Sequence, residues 1–110
     1  MTVEVPHPVM RYFEADAVRD IEAILALFVE DAAVLDEGQT WSGSDGIRAW
    51  QHGPASRYQY TTEVANIVPT SEGRYRATGR LEGNFPGGTA NLNWDFTIAG
   101  ERISRLEIAP

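Results

Sequence analysis

The chain has 110 residues, is 43% hydrophobic and 10% aromatic, and carries a net charge of −7 at pH 7, the size and make-up of one globular domain with a single core. It contains no Cys and no Lys, all 9 cations being Arg, which excludes disulfides, thiolate chemistry, Cys-type zinc sites and Schiff bases on a side-chain amine. The acidic balance and the scatter of the arginines argue against a nucleic-acid partner. No apolar run reaches the roughly 18 residues of a membrane span, and His7 and His52 are too far apart in sequence to suggest a His-rich metal site.

The opening MTVEVPHPVM lacks the basic-then-apolar order of a signal peptide, so a cytoplasmic location is expected. Residues 8–18 read as a first helix, with Pro8 at an early position and Val9, Phe13 and Ala17 on one face. Asp20 suits the N-cap of a second helix, in which Ile21, Ile24, Leu25 and Phe28 follow the i, i+3, i+4, i+7 rule of a buried stripe. Only Arg19 and Asp20 separate the two, which predicts a tight helical hairpin.

A short strand over 32–36 follows, then a loop punctuated by Gly38 and Gly43. Ser44 is placed to cap a short third helix with Ile47 and Trp50 turned inward, and His52-Gly53-Pro54 ends it. From residue 57 the period changes to two. Residues 57–68 form the first long strand, 69–73 a turn, and 74–85 the second, with Tyr75, Ala77, Leu81 and Phe85 against Arg74, Arg76, Arg80 and Glu82. A turn at 86–88 leads to a strand over 89–98, with Leu92, Trp94, Phe96 and Ile98 on one face and Asn91, Asn93 and Asp95 on the other. A last turn at 99–101 precedes the final strand, 102–109. Gly79 and Gly83 inside a strand predict strong bending or a bulge.

Helices first and a meander of long strands after them is an α+β arrangement, with the helices on one face of a bent sheet. Two such layers diverge into a conical cavity, a common ligand site. Asp36 then stands out: it follows the apolar run Ala32, Ala33, Val34, Leu35. In a dry pocket its carboxyl pKa rises, and it becomes a general base. Ahead of Glu37 and Gly38 it is equally an ordinary turn residue.

The stretch RYFEADAVRDIEAILALFVEDAAVLDEG, the following WSGSDGIRAW and the terminal Gly-x-x-Ile-x-x-Leu pattern resemble the nuclear transport factor 2-like superfamily. Within it, the nearest resemblance is to steroid delta-isomerases and SnoaL-like polyketide cyclases. The resemblance covers nearly the whole chain and implies a cystatin-like cone, with N-terminal helices on a strongly bent mixed or antiparallel sheet.

It also implies a cofactor-free isomerase or cyclase, with no metal, acting by proton transfer beside a carbonyl on a hydrophobic small molecule. The other reading is a ligand-binding or dimerisation domain without chemistry. Laid without gaps against a steroid delta-isomerase, Tyr12 falls on the oxyanion-binding tyrosine and Asp36 on the general base. The late-strand acid of that family is missing; its column holds Trp94, whose indole N–H can only donate. Phe96, Trp41, Trp50 and Asp16 complete the set expected around the ligand. The superfamily commonly pairs two copies through the outer sheet face, and a homodimer through the face carrying Arg74, Arg76, Arg80, Glu82, Asn91, Asn93 and Asp95 is what the resemblance implies.

Overall fold

A computed structural model describes residues 5–110. Helix α1 (His7–Ala17) begins just after Pro6 with Pro8 in its first turn, and α2 (Ile21–Ala26) is capped by Asp20, whose side chain accepts from the Ala23 N–H at 3.1 Å. The strands are β1 (Phe28–Asp36), β2 (Gln39–Ser42), β3 (Tyr60–Ser71), β4 (Arg74–Gly83), β5 (Thr89–Ala99) and β6 (Arg102–Ala109). Helix α3 (Gly43–His52) and a 3₁₀ turn (Pro54–Ser56) lie between β2 and β3. The fold is α+β: a six-stranded sheet in the order β2-β1-β6-β5-β4-β3, mixed because β1 runs parallel to β6 and every other pair is antiparallel. Among the described residues no helix is long and apolar enough to cross a membrane.

Four local expectations are corrected. The buried stripe of α1 runs through Val9, Tyr12, Ala15 and Asp16, while Phe13 is half-buried beside it and Ala17 is exposed. Three-residue and four-residue steps both keep to one helix face, and the sheet selects the Tyr12 side. Helix α2 stops before Phe28, which opens β1 instead. There the Leu27 carbonyl accepts from the Ile103 N–H at 2.8 Å and Phe28 pairs with Ile103, so sheet pairing ends the helix. The loop expected between Gly38 and Gly43 contains β2. Glu37 and Gly38 both have positive φ, 51° and 77°, the two-residue turn that matches strand twist. Helix α3 starts at Gly43, with Ser42 at its N-cap position, so Ser44 lies inside it.

The long strands keep their expected faces. Ala77 pairs with Trp94 and Tyr75 with Phe96, and Ala77, Trp94 and Phe96 are buried in the core. β3 is an edge strand that continues past Val68 through Pro69 to Ser71, and Pro69 stands beside a register shift, the kind of place a sheet tolerates proline. β4 ends at Gly83, so Phe85 lies beyond it. A register shift between Val64 and Asn66 sits opposite Gly79. A Cβ at Gly79 would collide with the Glu63 carbonyl, so the bend there needs glycine. A second shift, between Thr97 and Ile98, adds one residue to β6 and lets Ile103 and Leu106 both be fully buried despite their odd spacing.

On the outer face of β4 and β5, Arg76 donates to Asp95 and Arg80 pairs with Glu82, so charges of that surface are matched within the chain.

Candidate functional site

In β1, Phe28, Ala32 and Val34 are buried and turned toward the helices, and period two sends Asp36 to the same side. There Asp36 lines a cavity of about 570 Å³ between the helical layer and the sheet. Helix α1 supplies Tyr12 and, one turn on, Asp16; α3 supplies Trp50; β3 supplies Tyr60; β5 supplies Trp94. Leu81, Phe85, Ala90, Leu92 and Ile108 form an apolar wall, and Arg57 and Tyr58 belong to the segment that leads into β3. A few polar groups in an apolar hollow of this volume is the usual make-up of a small-molecule site.

The polar groups are held in specific pairs. The Trp50 indole N–H donates to Asp36 Oδ2 at 3.0 Å. Burial pushes the Asp36 carboxyl above its ordinary value; the Trp50 hydrogen bond partly opposes this, and the neighbouring Glu37 charge adds to it. Asp16 is 8% exposed. Its Oδ1 accepts from Arg19 at 2.9 Å, and its Oδ2 faces the Tyr60 hydroxyl at 3.5 Å. Burial raises the Asp16 pKa too, against the pull of the Arg19 guanidinium.

Arg19 itself holds the left-handed conformation, φ 54°, uncommon for a residue with a side chain. Its other nitrogen donates to the Gln51 carbonyl at 3.2 Å and to Ser56 Oγ at 2.6 Å, tying α1 to the end of α3 and to the 3₁₀ turn. Tyr12 is pushed well above the ordinary phenol range by burial first, then by the charges of Asp16, Tyr60 and Asp36. Tyr60 is raised to about 12, by burial and then by Asp16. Both phenols therefore stay neutral and able to donate at any working pH.

Of the residues expected around the ligand, the cavity brings together Tyr12, Asp16, Asp36, Trp50 and Trp94. It leaves out two. Phe96 is 1% exposed and is packed edge-on against Tyr12 and Phe13, inside the core. Trp41 pairs with Val34 across β1 and β2 and packs against the core. Trp94 lines the cavity and also meets Phe13 edge-on, at 5.3 Å between ring centroids. Sequence reasoning missed Tyr60 and the Arg19 bridge. A signal for Tyr60 existed, since Tyr60, Thr62 and Val64 alternate with exposed Thr61 and Glu63. Among the described residues no three His, Asp or Glu side chains form a group able to hold a metal ion.

No protein-family model matches the chain, and no curated protein matches its sequence. Solved structures do. A candidate polyketide cyclase from Sinorhizobium meliloti superposes with a TM-score of 0.89 at 32% identity, over 96% of this chain and 95% of that one. A Catenulispora acidiphila protein with a ketosteroid isomerase-like fold, solved with trimethylamine, gives 0.84 at 16% identity over 97% and 87%. A Mycobacterium tuberculosis protein solved with estradiol-17beta-hemisuccinate gives 0.79 at 14% identity over 94% and 90%. At the identities of the last two, the likeness is one of fold alone.

Proposed function

This chain belongs to the nuclear transport factor 2-like superfamily, and from that premise we propose that it binds an apolar carbonyl compound in its cavity and moves a proton beside the carbonyl, with Asp36 as the base. The observation that carries the reading is Asp36 itself: a half-buried carboxylate of raised pKa on the wall of an apolar cavity that Tyr12 also lines. A base is most effective when its pKa approaches the working pH, and burial moves Asp36 that way.

The step balances within the cavity. The Trp50 N–H holds Asp36 Oδ2, which leaves Oδ1 to take the proton from the carbon next to the carbonyl. The C–H electron pair moves toward the carbonyl oxygen, and the Tyr12 hydroxyl donates to the resulting enolate. Asp36 then returns the proton to the same carbon or, in a conjugated substrate, to a different one. The charge in the cavity does not grow: Asp36 becomes neutral as the enolate becomes negative, and Asp16 is balanced by Arg19. The neighbours solved with trimethylamine and with estradiol-17beta-hemisuccinate support a small-molecule ligand for this fold, and the Sinorhizobium meliloti neighbour, a candidate polyketide cyclase, supports cyclase chemistry.

The test is exchange of the α-protons of 1-tetralone in D₂O, followed by NMR. Protein-dependent exchange should rise with pH through the raised pKa of Asp36 and then level. Asp36→Asn should lower it by about 100-fold or more, with ligand affinity nearly unchanged. A wild-type protein that binds the ketone but exchanges nothing would be a binding module without chemistry.

A further inference from the structure

The second carboxylate of the cavity has no task in the proton transfer. Asp16 is more buried than Asp36 and lines the same hollow, and its two oxygens are unequally used. Oδ1 has a full ionic hydrogen bond from Arg19 at 2.9 Å, whereas Oδ2 has only the Tyr60 hydroxyl, at 3.5 Å. That contact is at the outer limit of a hydrogen bond. A carboxylate oxygen accepts more than one donor, and leaving one underused in an apolar space costs free energy. A phenol beside it has one proton to give and lone pairs to offer. The pair therefore presents both an acceptor and a donor to whatever enters between them.

From this we infer that the ligand carries a hydroxyl group, seated between Asp16 Oδ2 and the Tyr60 hydroxyl, apart from the carbonyl that meets Tyr12 and Asp36. A hydroxyl is the group that fits this pair: it donates to Oδ2 and accepts from Tyr60, replacing one long contact with two of ordinary length. An ammonium fits less well. Arg19 already gives Asp16 an ionic hydrogen bond, and an ammonium, which has only protons to give, cannot accept from the Tyr60 hydroxyl. An ether or a bare hydrocarbon leaves Oδ2 as it is.

The inference deepens the proposed function, on which it rests for the carbonyl, and names the substrate class as hydroxylated carbonyl compounds. Asp16 and Tyr60 are its specificity-determining residues. Sites that hydrogen-bond a substrate hydroxyl discriminate strongly against analogues that lack it. Because Arg19 holds Oδ1 and Tyr60 still reaches Oδ2 when the site is empty, the discrimination expected here is more modest, about tenfold.

The experiment compares 1-tetralone with its 5-, 6- and 7-hydroxy derivatives and with an aminomethyl derivative, measuring affinity and α-proton exchange for each. At least one hydroxytetralone is expected to bind about tenfold more tightly than 1-tetralone. That advantage should fall to about twofold or less in Asp16→Asn and in Tyr60→Phe. The second variant keeps the ring and guards against loss of the Asp16–Arg19 pair disturbing the fold. Asp36→Asn should keep the advantage while losing exchange.

Binding of 1-tetralone with no advantage for any hydroxyl isomer overturns this inference alone. So does an advantage that survives in both variants, or tighter binding of the amine. A hydroxyl advantage without exchange on any ketone overturns the proton-transfer reading and leaves the hydroxyl site standing. Failure of every compound to bind the folded wild-type protein overturns both.

Discussion

The helix-facing side of β5 is filled at one point and hollow four residues away. At Phe96 the space is solid: Tyr12 and Phe13 meet its ring edge-on, at 5.6 and 5.9 Å between centroids, and 1% of the residue is exposed. At Leu92, on the same face of the same strand, the side chain lines the cavity. Trp94 stands between, packed against Phe13 and bordering the hollow. Length explains the contrast. Helix α1 and strand β5 have 11 residues each, but a helix of that length spans about 16 Å and a strand about 37 Å. One short helix cannot cover the strand it lies on, so the uncovered part becomes a cavity. The polar side chains collect at its edge: Asp16 in the last turn of α1 and Asp36 at the last residue of β1.

The largest effect should separate the two ends directly. Phe96→Ala removes a ring from a site with no room to relax and should cost about 3–5 kcal/mol. Leu92→Ala removes atoms that already face open space and should cost about 1 kcal/mol. Chemical denaturation of the two variants measures both; equal losses would mean that the hollow is packed in solution.

Tyr12 lies on the boundary, and its hydroxyl should matter to only one side. Tyr12→Phe keeps the ring against Phe13 and Phe96, so stability should change by less than about 1 kcal/mol. Exchange on 1-tetralone should fall by about 100-fold, the usual loss on removing one oxyanion donor. A stability loss as large as that of Phe96→Ala would make Tyr12 a core residue and nothing more.

The same division explains what could be read without coordinates. The alternation of β4 and β5 and the turn to Asp36 after Ala32 and Val34 follow from period two, and the sequence carries that period openly. Strand β2 was hidden because its turn is Glu-Gly, without the Asn-Gly or Asp-Gly signal, and because four residues are too few to show alternation. Phe28 fits the helical spacing from Ile21 as well as it fits the start of a strand, and only pairing with Ile103 decides between them. Period two turns Phe96 inward, but an inward strand position does not say whether a ligand or another side chain covers it. Asp16 meets Tyr60 across 44 residues of chain, and Arg19 meets Ser56 across 37. Such contacts exist only once both layers are assembled, so local spacing carried no trace of them.

The smallest effect tests whether the hollow end is bought with stability. The folded pKa of Asp36 is raised, chiefly by burial. Between the ordinary value of 3.8 and the raised one, the folded protein holds a proton that the unfolded chain has released. Folding then takes up protons, so this group's contribution falls as pH rises through that window and stays reduced above it. Asp36→Asn removes the charge and leaves a carbonyl oxygen to accept from Trp50. The variant should therefore match the wild type below the window and gain on it through the window. By neutral pH the gain should reach about 0.5–1 kcal/mol, kept small because the carboxylate is partly open to the cavity. Denaturation midpoints of both proteins across the acid range measure the difference. A variant less stable than wild type at neutral pH, with the gap closing toward acid, would reverse the sign. It would make the Trp50–Asp36 hydrogen bond a stabilising ionic contact, and Asp36 a poor choice of base.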